Sequence, residues 1–114
     1  MHEYHFVEKI TRQAEETAKS HHARKVKNVV FAVGEGLGFA EESIHMYFEQ
    51  ITQGTILDGA TLTIRVKPFW LLCESCRISF PKQKSKFSCG RCGSEGKLSE
   101  GGKEFFIESL EIEE

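Results

Sequence analysis

All four cysteines of the chain stand in two identical pairs, Cys73-Glu74-Ser75-Cys76 and Cys89-Gly90-Arg91-Cys92. A two-residue spacer lets one tight turn aim both sulfurs of a pair at a single point, and two such turns complete a tetrahedral shell of thiolates. A shell without a missing ligand leaves no open coordination position, which is typical of a structural rather than a catalytic zinc site. The spacing therefore predicts structural Zn(II) bound by all four cysteines.

Two other uses of these cysteines fit less well. Disulfides suit secreted proteins, but the chain starts with the charged segment Met1-His2-Glu3 instead of an apolar signal segment. A thioredoxin-like redox site needs only one Cys-x2-Cys pair, next to a strand and a helix. We therefore expect reduced cysteines and a cytoplasmic protein.

The N-terminus offers a second and chemically different metal site. The α-amine of Met1, with the backbone nitrogen and imidazole of His2, can form fused chelate rings around one ion. Ni(II) and Cu(II) favour square-planar nitrogen ligation strongly enough to displace an amide proton, and Zn(II) gains nothing comparable. Glu3 can add its backbone nitrogen or its carboxylate, and His5 is close enough in sequence to compete as a ligand. A histidine at position 2 is equally consistent with an ordinary exposed side chain at a mobile terminus.

Length and composition restrict the class of protein. With 114 residues, 39% of them hydrophobic, the chain suits one small domain carrying a still smaller module. Its longest apolar runs, such as 69–72, are too short to span a bilayer. The net charge of −2 argues against tight binding to nucleic-acid phosphates. A closed zinc shell, with no H-E-x-x-H helix and no evident Ser-His-Asp set, argues against an enzyme.

Hydrophobic periodicity predicts five regular elements, two amphipathic helices and three strands. The helices are 4–20 and 40–52, and the strands are 26–33, 60–67 and 104–112. The first strand is rich in β-branched residues and is expected to be largely buried. The second alternates strictly, which predicts one buried face that includes Leu62 and Val66. In the third, Phe105-Phe106-Ile107 is expected to form the core.

The predicted fold class is α+β, a small three-stranded sheet with two helices on one face, plus an inserted zinc-ribbon-like module. We assign 1–68 plus 101–114 to an α/β domain and 69–100 to a zinc-binding domain. If strands 60–67 and 104–112 pair, both ends of the module are anchored at one sheet edge. The module's core, with Trp70, Phe80 and Phe87, is too small to fold unaided. Zinc binding, worth about 10–16 kcal/mol in comparable peptides, supplies the difference.

Taken together, these features resemble the HypA/HybF family of nickel metallochaperones, which act in the maturation of NiFe-hydrogenase. The resemblance covers the whole chain and rests on several short motifs. They are Met1-His2-Glu3, the two Cys-x2-Cys pairs, the segments 29–36 and 47–48, and the closing Gly102-Lys103-Glu104-Phe105-Phe106-Ile107-Glu108-Ser109-Leu110-Glu111-Ile112.

The resemblance implies that Met1, His2 and Glu3 carry Ni(II), with His2 indispensable, and that the four cysteines hold structural Zn(II). It makes the α/β domain the nickel-binding domain. It also implies docking to the GTPase HypB and delivery of nickel into the hydrogenase large subunit, and some relatives also serve urease. Family members often have serine at position 5, where this chain has His5, so the full nickel ligand set stays open.

A different class of function, a zinc-ribbon nucleic-acid-binding module, is the alternative. It would use as phosphate contacts the basic residues of the zinc segment, which are Lys82, Lys84, Lys86 and Arg91. The net negative charge disfavours it. The chain can be a monomer, or a dimer formed by strand exchange at Gly101-Gly102.

Overall fold

The apolar stripe at the start of the chain lies on helix α1, which spans His2–Ser20. The computed structural model describes residues 2–81, 87–98 and 103–114, and at residues 2 and 98 the backbone only. Buried positions on α1 recur at steps of three and four, as one helix face requires. They are Val7, Ile10, Thr11, Ala14 and Ala18. The helix predicted over 4–20 is confirmed, and it already begins at His2.

Helix α2 spans Glu41–Thr52 and presents its own apolar stripe to the core. Ile44, Phe48 and Ile51 are buried, and Thr52 joins them because its hydroxyl donates to the Phe48 carbonyl oxygen at 2.7 Å. Glu41 and Glu42 lie in its first turn, where the helix dipole is positive and favours acidic side chains. The helix predicted over 40–52 is therefore confirmed.

Three strands form the first sheet in the order β2-β1-β6. Strand β1 spans Lys25–Gly34, β2 spans Thr61–Lys67 and β6 spans Phe105–Glu113. All three predicted strands are thus confirmed, and the pairing of 60–67 with 104–112 that we considered does not occur, because β1 lies between them. The reason is burial. Strand β1 is the most deeply buried of the three, and the strand covered most completely takes the centre of a small sheet.

Aromatic contacts connect this sheet to the helices. The ring of Phe31, at the centre of β1, lies 5.8 Å from Phe48 and 5.7 Å from Phe105, measured between ring centroids. Polar contacts also join strands of the sheet, with Arg65 and Glu108 4.0 Å apart and Asn28 donating to Glu111. The helices therefore cover one face of the sheet, as an α+β fold requires.

Two expectations about buried strand residues are wrong. Phe106 is 46% exposed, because neighbouring side chains on a strand point to opposite faces and the core takes Phe105. Val66 is 48% exposed although Leu62, on the same face of β2, is buried. Alternation predicts which side chains of a strand share the buried face, but it does not predict how much of that face other residues cover.

A second three-stranded sheet has the order β4-β3-β5, and the first cysteine pair lies where β3 ends and turns into β4. Strand β3 spans Trp70–Cys73, β4 spans Ile78–Pro81 and β5 spans Lys97–Leu98. Both neighbours are antiparallel to β3, with Cys73 opposite Ile78 and Leu72 opposite Lys97. The core expected from Trp70, Phe80 and Phe87 is partly wrong. Trp70 and Phe87 are exposed. Leu71 and Cys73 are fully buried, and alternation along β3 places both on the opposite face from Trp70.

The chain divides into two compact units. The first consists of Met1–Ala32, Phe39–Arg65 and Phe105–Glu114, and the second of Val33–Gly38 and Val66–Glu104. The domain boundaries that we assigned from the sequence, 1–68 plus 101–114 and 69–100, remain a proposal. No helix within the described ranges is long and apolar enough to cross a membrane.

Candidate metal centre

The four cysteine sulfurs converge on one point. All four Sγ atoms lie within 4.8 Å of one another, and those of Cys73 and Cys92 are 3.5 Å apart. Four ligands at the usual Zn–S distance of about 2.3 Å place tetrahedral sulfurs about 3.8 Å from each other. The donor set and its spacing therefore fit a zinc ion with four thiolate ligands. In the described part of the chain, no other group of three or more potential metal ligands converges in this way.

The two Cys-x2-Cys turns are closed in the same way. The backbone N–H of Arg77 donates to the Cys73 carbonyl oxygen at 2.7 Å, and that of Gly93 donates to the Cys89 carbonyl oxygen at 2.8 Å. Each donor has a positive φ, 55° for Arg77 and 76° for Gly93. The residue after each pair thus adopts the left-handed conformation, which glycine accepts without cost and arginine does not.

Backbone N–H groups also point at the sulfurs. Cys76 N–H donates to Cys73 Sγ, and Arg91 N–H donates to Cys89 Sγ, both at 3.4 Å. A hydrogen bond to sulfur favours the charged thiolate over the thiol. Each turn therefore holds the sulfur of its first cysteine in position, and its N–H group favours the thiolate form that binds a metal.

Backbone hydrogen bonds on either side of the second turn hold it in place. Ser88 and Glu95 form an isolated bridge, and inside it the Cys89 N–H donates to the Ser94 carbonyl oxygen at 2.7 Å. On the surface, Lys97 Nζ lies 2.9 Å from a carboxylate oxygen of Glu74 and so connects β5 to the first turn. This exposed ion pair adds little stability by itself.

The sulfurs differ in their affinity for protons. Hydrogen bonds from Ser94 lower the pKa of Cys92 to about 6. Contact with Cys92, together with burial, raises the pKa of Cys76 to about 12, and N–H groups of residues 92 and 91 lower the pKa of Cys89. The pKa values of these neighbouring sulfurs are thus pushed apart, chiefly by the hydrogen bonds that they form with each other and with the surrounding chain. A divalent cation supplies the charge that replaces the remaining protons.

The N-terminal candidates lie at the start of α1. Glu3 is half-buried, and among the described residues its Oε2 atom is buried without a hydrogen-bond partner. His5 is exposed, with its ring 6.1 Å from the ring of Tyr4. Met1 and the side chain of His2 lie outside the described residues, so the predicted nickel ligands remain a proposal.

Sequence reasoning missed the residues that complete the two turns. Gly93 could have been found, because a glycine directly after a Cys-x2-Cys pair is a sign of a left-handed turn, and Ser94 is the residue that follows it. Arg77 carries no such signal. Of the predicted phosphate contacts, Arg91 is exposed, and the other three, at 82, 84 and 86, lie outside the described residues, as does the 101–102 hinge.

Comparison with known proteins agrees with this architecture. Residues 1–112 match the sequence model of the family described as HypA, hydrogenase/urease nickel incorporation, metallochaperone. The chain is 33% identical to the hydrogenase maturation factor HypA of Caldanaerobacter subterraneus over 99% of this chain and 100% of the relative. It is 36% identical to that of Wolinella succinogenes over 99% and 96%.

Two solved structures have the same fold. The nickel metallochaperone HypA from Helicobacter pylori gives a TM-score of 0.65 at 26% identity, covering 96% of both chains. A second HypA solution structure gives 0.68 at 28% identity, covering 98% of this chain and 96% of the other. This chain, with its two-helix α+β unit and its four-cysteine module, thus has the fold of a known metallochaperone. The chain belongs to the HypA family of hydrogenase maturation metallochaperones.

Proposed function

We propose that this chain binds Ni(II) at its N-terminus and delivers it during NiFe-hydrogenase maturation, while Zn(II) bound by its four cysteines stabilises the fold. The observation that carries the proposal is the family match across residues 1–112. The converging sulfurs of Cys73, Cys76, Cys89 and Cys92 support the zinc assignment, because a closed four-thiolate shell has no position for a substrate.

The proposed nickel ligands are the α-amine of Met1, the backbone nitrogen and imidazole of His2, and Glu3. Ni(II) favours such nitrogen ligation strongly enough to displace the amide proton. Since α1 begins at His2, its first backbone N–H groups have no carbonyl partner within the helix. Metal binding at this end therefore breaks no hydrogen bond of the helix.

A terminal site suits a carrier, because a partner's competing ligands can dismantle it without unfolding the protein. The partners we propose are the GTPase HypB and the hydrogenase large subunit, with urease as an additional client. In this scheme the protein is a cytoplasmic carrier and catalyses no reaction, since the nickel ion leaves chemically unchanged.

Calorimetry with untagged protein tests the nickel site. Binding requires a neutral imidazole and a neutral amine, so nickel affinity should fall steeply between about pH 7.5 and about pH 5.5. Two residues added before Met1 turn the amine into an amide and should abolish tight binding, and the same extension at the C-terminus serves as a control. Equal nickel affinities at both pH values, or in the N-terminally extended protein, would rule out this site.

A further inference from the structure

An aromatic pair joins the first turn of α1 to α2. The rings of Tyr4 and Tyr47 meet edge to face, with centroids 5.3 Å apart and an interplanar angle of 89°. Both side chains are half-buried, and the Tyr4 hydroxyl lies 3.5 Å from a carboxylate oxygen of Glu8 within its own helix. Edge-to-face geometry is attractive because the positive edge of one ring meets the negative face of the other.

Two further aromatic contacts hold Phe6, which follows this turn. The ring of Phe6 lies 5.3 Å from that of Phe39 and 5.7 Å from that of Phe105. Phe6 is nevertheless 39% exposed, and Val7 is the first fully buried residue among the helix side chains that the structure describes. Before Val7, α1 is thus held by aromatic rings at its edge rather than by a closed core. Without these rings, the end of a helix is expected to fray.

Fraying matters here because of the geometry of chelation. A metal that binds two successive backbone nitrogens closes a five-membered ring, which requires the torsion ψ between them to be near zero. A helical ψ of about −42° is close to that value, whereas an extended ψ of about +135° points the two nitrogens in opposite directions. A helical first turn therefore arranges the backbone nitrogens of His2 and Glu3 for a metal before it arrives.

We propose that Tyr47 is a positioning residue for the N-terminal nickel site, acting through Tyr4 to keep the first turn of α1 helical. This inference rests on the proposed function. Tyr47 itself touches no metal. It raises nickel affinity by reducing the fraction of molecules whose first turn is frayed and must be reordered on binding.

The test compares Tyr47→Ala with Tyr47→Phe in untagged protein. Loss of the ring should weaken nickel binding about fivefold, the usual scale of one aromatic pair. Phenylalanine keeps the edge-to-face contact and should bind nickel within about twofold of the wild type. Amide hydrogen exchange measured by NMR should be faster at Phe6 and Val7 in Tyr47→Ala and unchanged in Tyr47→Phe. Zinc content should be the same in all three proteins.

Ile51→Val is the matched control, because it removes one methyl group from the core one turn further along α2. It should lower the melting temperature and leave nickel affinity unchanged. Wild-type affinity in Tyr47→Ala, or an equal loss in Ile51→Val, would overturn the positioning role alone. A wild-type protein that binds no nickel would overturn both this role and the proposed function.

Discussion

Gly96 lies so close to the core of the zinc module that a single added methyl group is expected to disturb it. A Cβ atom at this position would lie 2.7 Å from Cζ of Phe80 and 3.0 Å from Cβ of Leu71. Carbon atoms pack best at about 3.5–4.0 Å, so Gly96→Ala creates two overlaps at once. Leu71 is fully buried in the central strand β3 and cannot retreat, while the half-buried Phe80 ring can move towards solvent.

The expected cost follows from these contacts. Inserting a methyl group into a packed core costs about 1–3 kcal/mol, and movement of Phe80 places Gly96→Ala at about 1–2 kcal/mol. If folding of the module is coupled to the metal, this cost appears as weaker zinc binding. Zinc affinity should therefore fall about five- to thirtyfold, although every cysteine ligand is still present.

Competition with a chromophoric chelator measures this loss. Gly90→Ala is the matched control, because it adds the same methyl group inside a Cys-x2-Cys turn where no atom lies within 4 Å of the new Cβ. It should bind zinc like the wild type. An unchanged zinc affinity in Gly96→Ala would refute the coupling between packing and metal binding, and an equal loss in Gly90→Ala would refute the role of the clash.

Three further predictions follow from single contacts. Thr11 is 2% exposed and its hydroxyl has no hydrogen-bond partner among the described residues, so Thr11→Val should stabilise the protein by about 1 kcal/mol in denaturant unfolding. Arg24 lowers the pKa of Glu113 below its ordinary value of 4.5. The small stabilisation that results is present above pH 4.5 and is lost as the Glu113 carboxylate is protonated. In Arg24→Gln, NMR titration should show the pKa of Glu113 raised. Because the pKa of Cys92 is about 6, zinc affinity should decrease as pH falls through that value. Calorimetry should show about one more proton released per zinc ion below this pH than above it. An equal number of released protons at both pH values would contradict this prediction.

The four-cysteine cluster could be predicted from the sequence almost completely, because each of its two pairs is formed by residues close together in the chain. Two residues between cysteines leave few ways to close a turn, and both pairs use the same one. What the spacing cannot show is which residue takes the left-handed conformation when it is not glycine. Arg77 does so with φ at 55°, and nothing in its residue type indicates it.

The helices and strands were also predictable from local patterns, whereas the order of the strands and the contacts between elements were not. The stripes of α1 and α2 and the β-branched run of β1 identify each segment by itself. Strand order depends on contacts between distant parts of the chain. The sequence of β2 and β6 is compatible with direct pairing, and it is the observed strand order that shows β1 between them. The aromatic pair of Tyr4 and Tyr47 is likewise a contact between helices that neither helix pattern reveals.

The central claim is that two ions occupy this protein for different reasons, a sulfur-bound one that stabilises it and a nitrogen-bound one that it transports. Elemental analysis of untagged wild-type protein and His2→Ala, each loaded with zinc and nickel and then desalted, tests it most directly. The wild type should retain about one equivalent of each metal and His2→Ala only the zinc. Nickel retained equally by both proteins, or by neither, would contradict the claim.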